Sequence, residues 1–401
     1  MKLVLIADTF PPLRTSGAVQ LRDLSREFVR KGHELTVLLP SSDLEQPWAL
    51  EDFGGVRVLR LRAPKTKDID YVRRTIGEFL MPYAMLRNLR KSPLANERWD
   101  GVVWYAPSIF FGPIANALKK AGACKGYLII RDIFPEWAVD MGLMGRGLPY
   151  RFFRAVANYQ YSVADVIGIQ TAGNSVYFDH WIQKPGRKLE VLQNWLADAP
   201  VGQCTIDLAK TSLAGRRVLV YAGNMGVAQG MDVLLDLAEQ LKTRSDIGFL
   251  FVGRGSDAQK LAADAKARGL DNVLFHDEID PDEIPGLYAQ CDVGLVALHP
   301  KHKTHNIPGK FLTYVQSGLP VLAKINEGND LVGMIRKERV GAVATDDSLE
   351  ALVRAAEALI DQCGGDDTLP GRCRGLYQRL FAPEKAVEQI VGALDGGVPE
   401  N

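Results

Sequence analysis

Strand-length apolar runs, each followed by an amphipathic stretch, restrict this chain more than any other feature. Residues 3–7, 35–39, 56–61, 102–105, 127–130, 166–169 and 189–192 are such runs. Between the first two, Leu21, Leu24, Phe28 and Val29 recur on one helical face that stops at Gly32. Strand, helix and strand repeated in this way imply a parallel sheet covered by helices on both faces. The rhythm breaks over about residues 196–216, a polar stretch with Pro200 and Gly202. It then restarts with runs at 218–222, 247–252, 273–275, 293–298, 321–323 and 340–344. The fold class expected is therefore α/β, with two doubly wound domains facing a central cleft. The boundaries expected are 1–198 for the first domain, 199–216 for a linker and 217–381 for the second domain. Residues 382–401 are expected to form a C-terminal helix that comes after the second sheet is complete. Ligands of such sheets bind at the carboxyl ends of the strands, so the chemistry is sought there.

Composition narrows the class. Of the 401 residues, 47% are hydrophobic and 24% charged, enough apolar material for two cores. No apolar run reaches the length of a membrane span, and the N-terminal run closes early at Asp8, which speaks against a secretory leader. Five scattered cysteines without a C-x-x-C pair argue against a disulfide framework or a zinc site. A cytoplasmic protein is expected. The zero net charge hides an asymmetry: residues 1–196 hold 27 basic and 19 acidic residues, and the remainder 21 and 29. Opposite signs suit different partners for the two halves.

The motif-bearing segments follow strands. The first strand runs into Asp8-Thr9-Phe10-Pro11-Pro12-Leu13-Arg14-Thr15-Ser16-Gly17 before a helix. The second domain opens with Tyr221-Ala222-Gly223-Asn224-Met225-Gly226-Val227-Ala228-Gln229-Gly230, again strand, glycine loop and helix. Glycines there let backbone amides approach an anion. Neither loop is G-x-G-x-x-G or a P-loop, which makes a dinucleotide oxidoreductase the poorest reading. Further on stand Phe251-Val252-Gly253-Arg254-Gly255, Val273-Leu274-Phe275-His276-Asp277-Glu278 and Leu287-Tyr288, with Asp292 behind them. Last come Asn306-Ile307-Pro308-Gly309-Lys310 and Gly318-Leu319-Pro320-Val321.

In this order the motifs resemble those of retaining family 4 glycosyltransferases, which have the GT-B fold of two Rossmann-like domains. The resemblance spans nearly the whole chain. Gln193-Asn194-Trp195 looks like the family's domain-closing segment, and the helix of 382–401, after Phe381, looks like the one that crosses back to the first domain. The resemblance implies a nucleotide-sugar donor, UDP-linked by preference, and a glycan or polyprenyl-diphosphate-linked acceptor. It also implies no cofactor and no metal; no nucleic-acid partner is expected. By resemblance Gly17 approaches the donor sugar and phosphates, and the loop of Gly223 and Gly226 faces the diphosphate, with Gly253 and Arg254 nearby. His276 to Ile279 would border the nucleobase. His305, Asn306, Ile307, Pro308 and Gly309 would cover the donor sugar, and the helix starting there would point at phosphate.

Departures from the family pattern are specific. Asn224 and Gln229 stand where the family has an Arg and a Lys. His305 and Thr313 stand where it has two glutamates. Arg131-Asp132-Ile133-Phe134-Pro135-Glu136 replaces a His-Asp. Such variants look like transferases for O-antigen or capsule sugars, including N-acetylated 6-deoxyhexosamines of the N-acetyl-fucosamine type; loss of activity is the competing reading. The catalytic group expected is Arg131, Asp132 and Lys310, with Asp132 orienting Arg131 or the acceptor hydroxyl. A hexosyltransferase is thus the leading expectation. An epimerase or hydrolase of the same fold, using His276 with Glu278, and a non-catalytic nucleotide-binding module remain rivals.

Between Tyr71 and Arg98 basic residues (Arg73, Arg74, Arg87, Arg90, Lys91) interleave with Phe79, Leu80, Met81, Tyr83, Met85, Leu86 and Leu89. This suits a helix docked on the inner face of the cytoplasmic membrane; an ordinary helix packed on its sheet fits the same pattern. The D-x-D pairs Asp68/Asp70 and Asp280/Asp282 do not follow buried strands as metal-using transferases require. The row His299, His302, His305 sits among lysines, which favours an anion over a cation.

Overall fold

The structure is a computed structural model, and it describes residues 1–13, 15–226, 229–298, 307–346 and 348–395. His299, His302, His305 and Asn306 lie outside the described residues. The chain divides into two compact units, one of Met1–Trp195 with the helix Pro383–Asp395, the other of Leu196–Ala382.

The first unit is built on eight strands: β1 (Lys2–Ile6), β2 (Glu34–Ser41), β3 (Trp48–Phe53), β4 (Val56–Arg62), β5 (Gly101–Ala106), β6 (Lys125–Ile130), β7 (Val166–Ile169) and β8 (Lys188–Val191). Their order in the sheet is β3-β4-β2-β1-β5-β6-β7-β8. All neighbours are parallel except β3 and β4. That hairpin corrects the all-parallel expectation. Gly54 and Gly55 both take positive φ at its turn, the backbone a two-residue hairpin demands. Both faces of the sheet are covered, as alternation along β1 shows. Leu3, Leu5 and Ala7 enter one apolar core and Val4 and Ile6 the other. The helix Pro383–Asp395 places Ala386, Val387, Ile390 and Leu394 in the first of these, beside Leu21, Leu24 and Phe28 of the helix Ser16–Arg30. Lys31 ties the two helices by ion pairs to Glu384 and Glu388.

The second unit has six strands, all parallel: β9 (Arg217–Ala222), β10 (Ile247–Val252), β11 (Val273–His276), β12 (Val293–Ala297), β13 (Val321–Lys324) and β14 (Gly341–Ala344). Their order is β11-β10-β9-β12-β13-β14. The stretch 199–216, expected as a linker, packs into this unit instead. Ile206, Leu208 and Leu213 are buried in its core. Tyr377 donates to the Leu196 carbonyl at 2.8 Å, and the Gln316 amide to that of Ala197 at 2.7 Å.

One contact seats the helix that carries Lys310. Tyr314, on the helix Gly309–Ser317, is fully buried and donates to the carbonyls of Val220 and Leu295, each at 3.2 Å. Its ring lies so close to Gly294 in β12 that a Cβ there would overlap it. Gly294→Ala is therefore an overpacking change, expected to destabilise the protein by roughly 1–3 kcal/mol. Urea unfolding would measure it, and a cost near zero would show that the helix does not sit tightly on the strand.

Candidate active site

In the second unit the glycine loops meet at the carboxyl ends of β9 and β10. The Gly223 amide donates to Val252 O at 2.9 Å, and the Met225 amide to Arg254 O at 2.8 Å. A Cβ on Gly253 would overlap the Gly223 carbonyl, and one on Gly255 would overlap Met225 O. Both glycines hold positive φ, so the sequence places glycine where backbone packs on backbone. The Asn224 and Gln229 side chains close the first loop. Gln229 Oε1 accepts from the Gly226 amide at 3.1 Å and from Asn224 Nδ2 at 3.4 Å. These two residues, in the places of the family's Arg and Lys, spend these polar groups on the loop itself.

Lys310 completes this cluster. Its Nζ lies 4.6 Å from the centre of the Tyr221 ring and would be 3.6 Å from a Cβ on Gly223. No acceptor among the described residues bonds it, and burial presses its pKa down to about 8. Cation–π attraction to Tyr221 offsets part of that desolvation. Pro308 starts the helix without a side-chain cap, so its first amides add positive potential beside Lys310. Gly309 is exposed and Ile307 buried. Thr313 turns its hydroxyl back to Lys310 O at 2.8 Å. In the loops after β10 and β11, Arg254 is exposed and pairs with Glu278 at 3.0 Å. His276 is exposed, with Nδ1 2.9 Å from Asp277 O, and Ile279 packs against the core. The second unit thus gathers Gly223, Asn224, Gly226, Gln229, Gly253 and Lys310 at one place, with Arg254 and His276 on its flank. Asp70 and Asp280, from the two D-x-D pairs, cap the starts of helical turns.

A second cluster lies in the first unit, at the carboxyl ends of β1, β5 and β6. Arg131 follows β6 and is buried. Its guanidinium donates to Leu192 O at 2.9 Å and Gln193 O at 3.4 Å, and lies 4.7 Å from the centre of the Trp195 ring. Asp132 is exposed and makes no hydrogen bond to Arg131 among the described residues; the backbone carbonyls and Trp195 hold the guanidinium. Gly17 lies in the first turn of its helix, where a Cβ would come within 3.2 Å of Thr9 and 3.5 Å of Tyr105 Oη. Burial pushes the Tyr105 phenol up to about 12.

The sequence reading did not single out Asp8 for this cluster. Its Oδ1 is buried without a hydrogen-bond partner, and burial raises its pKa, with Lys67 and Arg74 opposing. The available signal was an acid closing an otherwise apolar β1 run. Glu78 nearby is raised as well, by burial first and by Asp8 among the lesser causes.

Residues 216–362 match the model of the family described as glycosyl transferases group 1. The chain is 25% identical to the probable glycosyltransferase WbjE of Pseudomonas aeruginosa over 284 residues, 69% of this chain and 70% of that one. It is 26% identical to the putative colanic acid biosynthesis glycosyl transferase WcaI of Escherichia coli over 214 residues, about half of each. Among solved structures, Anabaena HepE in complex with UDP superposes with a TM-score of 0.66 at 14% identity, covering 99% of this chain and all of the other.

Two predictions follow from the site. Lys310 carries its charge below about pH 8 and loses it above. Affinity for a nucleoside diphosphate should therefore fall as pH rises from 7 to 9, by up to about tenfold. Lys310→Met should bind more weakly at pH 7, lose this pH dependence, and melt no lower than wild type, because a buried charge is gone; calorimetric titration across pH tests all three. For Asp8, the raised pKa means that stability is lost as pH rises through it. Asp8→Asn should thus be more stable than wild type at pH 7, with the difference closing in acid; thermal melts at both pH values decide it. The segment 216–362 is thus similar to glycosyl transferases of group 1, in a chain with the GT-B fold.

Proposed function

We propose that the protein transfers a sugar from a nucleotide-sugar donor, held by the second unit, to a glycan or lipid-linked acceptor received by the first. The observation that carries this is the unpaired, half-buried Lys310 ammonium beside the Gly223 and Gly253 loops, within the segment that matches the glycosyltransferase model. An ammonium without a carboxylate is matched by a dianionic leaving group. The donor's diphosphate would take the Lys310 charge and the free amides of the helix start. As the anomeric carbon–oxygen bond breaks, negative charge grows on the leaving phosphate, where these groups stabilise it without moving. The acceptor oxygen then bonds the anomeric carbon, and its proton passes to the departing phosphate oxygen. That route retains configuration and asks for no strong protein base. Uridine is favoured as the base, and HepE, of like fold, binds UDP. No metal is required, since lysine and amides supply the positive potential.

The name of one relative, a putative colanic acid biosynthesis glycosyl transferase, supports bacterial polysaccharide synthesis as the setting, with an N-acetylated 6-deoxyhexosamine as a fitting sugar. Docking on the inner membrane face fits the helix Tyr71–Leu89. Met81, Met85 and Leu89 face the core, whereas Tyr71, Val72, Ile76, Phe79, Leu80 and Tyr83 are exposed. The stripe 72, 76, 79, 80 and 83 repeats at helical spacing, and Phe79 meets the half-exposed Phe152 with ring centres 6.3 Å apart. Arg87, Arg90 and Arg151 lie exposed on the same helices or beside them and suit an anionic bilayer. No helix among the described residues is long and apolar enough to cross a membrane.

The test is a thermal-shift panel of UDP, GDP, ADP, TDP and NAD without added metal. Ligand at 100 times its Kd adds about 2.7 kcal/mol, a rise of roughly 2–4 °C. A rise with UDP that Lys310→Met abolishes is expected. A rise with NAD alone, or with none of the five, would sink the donor assignment.

A further inference from the structure

Beside the exposed stripe, the first unit holds a cavity of about 580 Å³ at the carboxyl ends of β2 and β4. Arg62, Lys65 and Arg87 line it, against one acid, Asp43. Asp43 already accepts the Ser42 hydroxyl at 2.9 Å. Arg62 donates to a neutral acceptor, Glu45 O, at 3.0 Å, which leaves its charge uncompensated. Lys65 and Arg87 have no carboxylate partner among the described residues.

The walls are fixed. The Asn88 amide donates to Arg62 O at 2.6 Å, and the Ala63 amide to Ser41 O at 2.9 Å. Gly77 lets the helix lie against Lys65 O, where a Cβ would come to 2.7 Å. Three exposed cations therefore line an open pocket of ligand size on a held backbone. Two of them are arginines, whose planar forks match phosphate oxygens. Ala84 and Arg87, in the wall, share a helix face with Leu80 and Tyr83 at spacings of three, four and seven. The cavity thus opens onto apolar side chains that an attached hydrocarbon tail could cover.

We infer that this cavity binds a phosphate ester, with Arg62, Lys65 and Arg87 on the phosphate and Leu80 and Tyr83 along an apolar tail. The site stands on this geometry alone; the identification of the ester with the lipid end of the acceptor rests on the function proposed above. Inorganic pyrophosphate and a lipid headgroup share the chemistry and can be told apart.

The experiment uses the full chain in a Lys310→Met background, which removes the second unit's free ammonium. Calorimetric titration with inorganic pyrophosphate should show saturable binding, weakened at least about tenfold by Arg62→Gln/Arg87→Gln, and blocked by Ala84→Trp, which fills the cavity and leaves the charges in place. Binding unchanged in both variants overturns the site. Flotation with vesicles of phosphatidylcholine and phosphatidylglycerol then tests the source. If the arginine variant stays behind where the parent floats, a lipid headgroup is the ligand. If it floats like the parent while pyrophosphate binding is lost, the site is for a soluble phosphate ester and the lipid source is overturned. Failure of the nucleotide panel would leave this result standing, so the two readings fail separately.

Discussion

Lys310 is an ammonium held partly out of water over an aromatic ring, with no opposite charge to meet it. Taking a cation from water costs more than one ring returns. The surroundings must therefore be rigid enough to keep it there. Tyr314, buried between two backbone carbonyls, locks the helix that carries it. Tyr221, whose ring lies below the ammonium, donates to Asn224 O at 2.6 Å and so ties the same ring to the glycine loop. Gly223 leaves open the space a side chain would fill in front of Nζ. A ligand with negative charge would relieve a cost that the fold itself leaves uncovered. Sites that cost stability when empty are what binding chemistry requires.

Arg131 shows the opposite solution. It directly follows β6, and its charge is buried, yet two carbonyls and the Trp195 ring engage it. Trp195 in turn donates to Gln20 O at 2.6 Å, and Tyr105 to the Gln20 side chain at 3.2 Å. Arg131 thereby joins the end of β6 to the segment that closes the first unit and to the helix behind Gly17. Its Nε remains buried without a partner, as does Asp8 Oδ1. Gln193 Oε1 and Asn194 Oδ1 in that closing segment are buried without partners too, so the polar capacity left over here lies in single atoms, not in the whole guanidinium.

The strand rhythm was legible because parallel strands buried on both faces read as continuous apolar runs. β3 was not legible in that way: Trp48–Phe53 lies at the sheet edge, part-exposed, and only Gly54-Gly55 marks its turn. Residues 199–216 read as a linker because they are polar and irregular, while three apolar side chains suffice to dock them on a core. The glycine positions of the second unit could be read from sequence, because backbone-on-backbone packing admits no other residue. What Thr313, Asn224 and Gln229 do could not, since short polar side chains bond locally in ways that spacing does not reveal.

The helix Tyr71–Leu89 is where composition left two readings open, and burial separates its residues without choosing one face over the other. Met81, Met85 and Leu89 satisfy the packed-helix reading, and Ile76, Phe79, Leu80 and Tyr83 are then surplus. A helix apolar on both sides has a partner for each side or is a liability in water. Here the outer stripe ends at Arg87, which lines a cavity with Arg62 and Lys65. Apolar stripe and cationic cavity on one helix make a surface with two chemistries in fixed order, hydrocarbon first and phosphate after it. An amphiphile with a phosphate head and an apolar chain presents those chemistries in the same order, which a free sugar or a bare nucleotide does not.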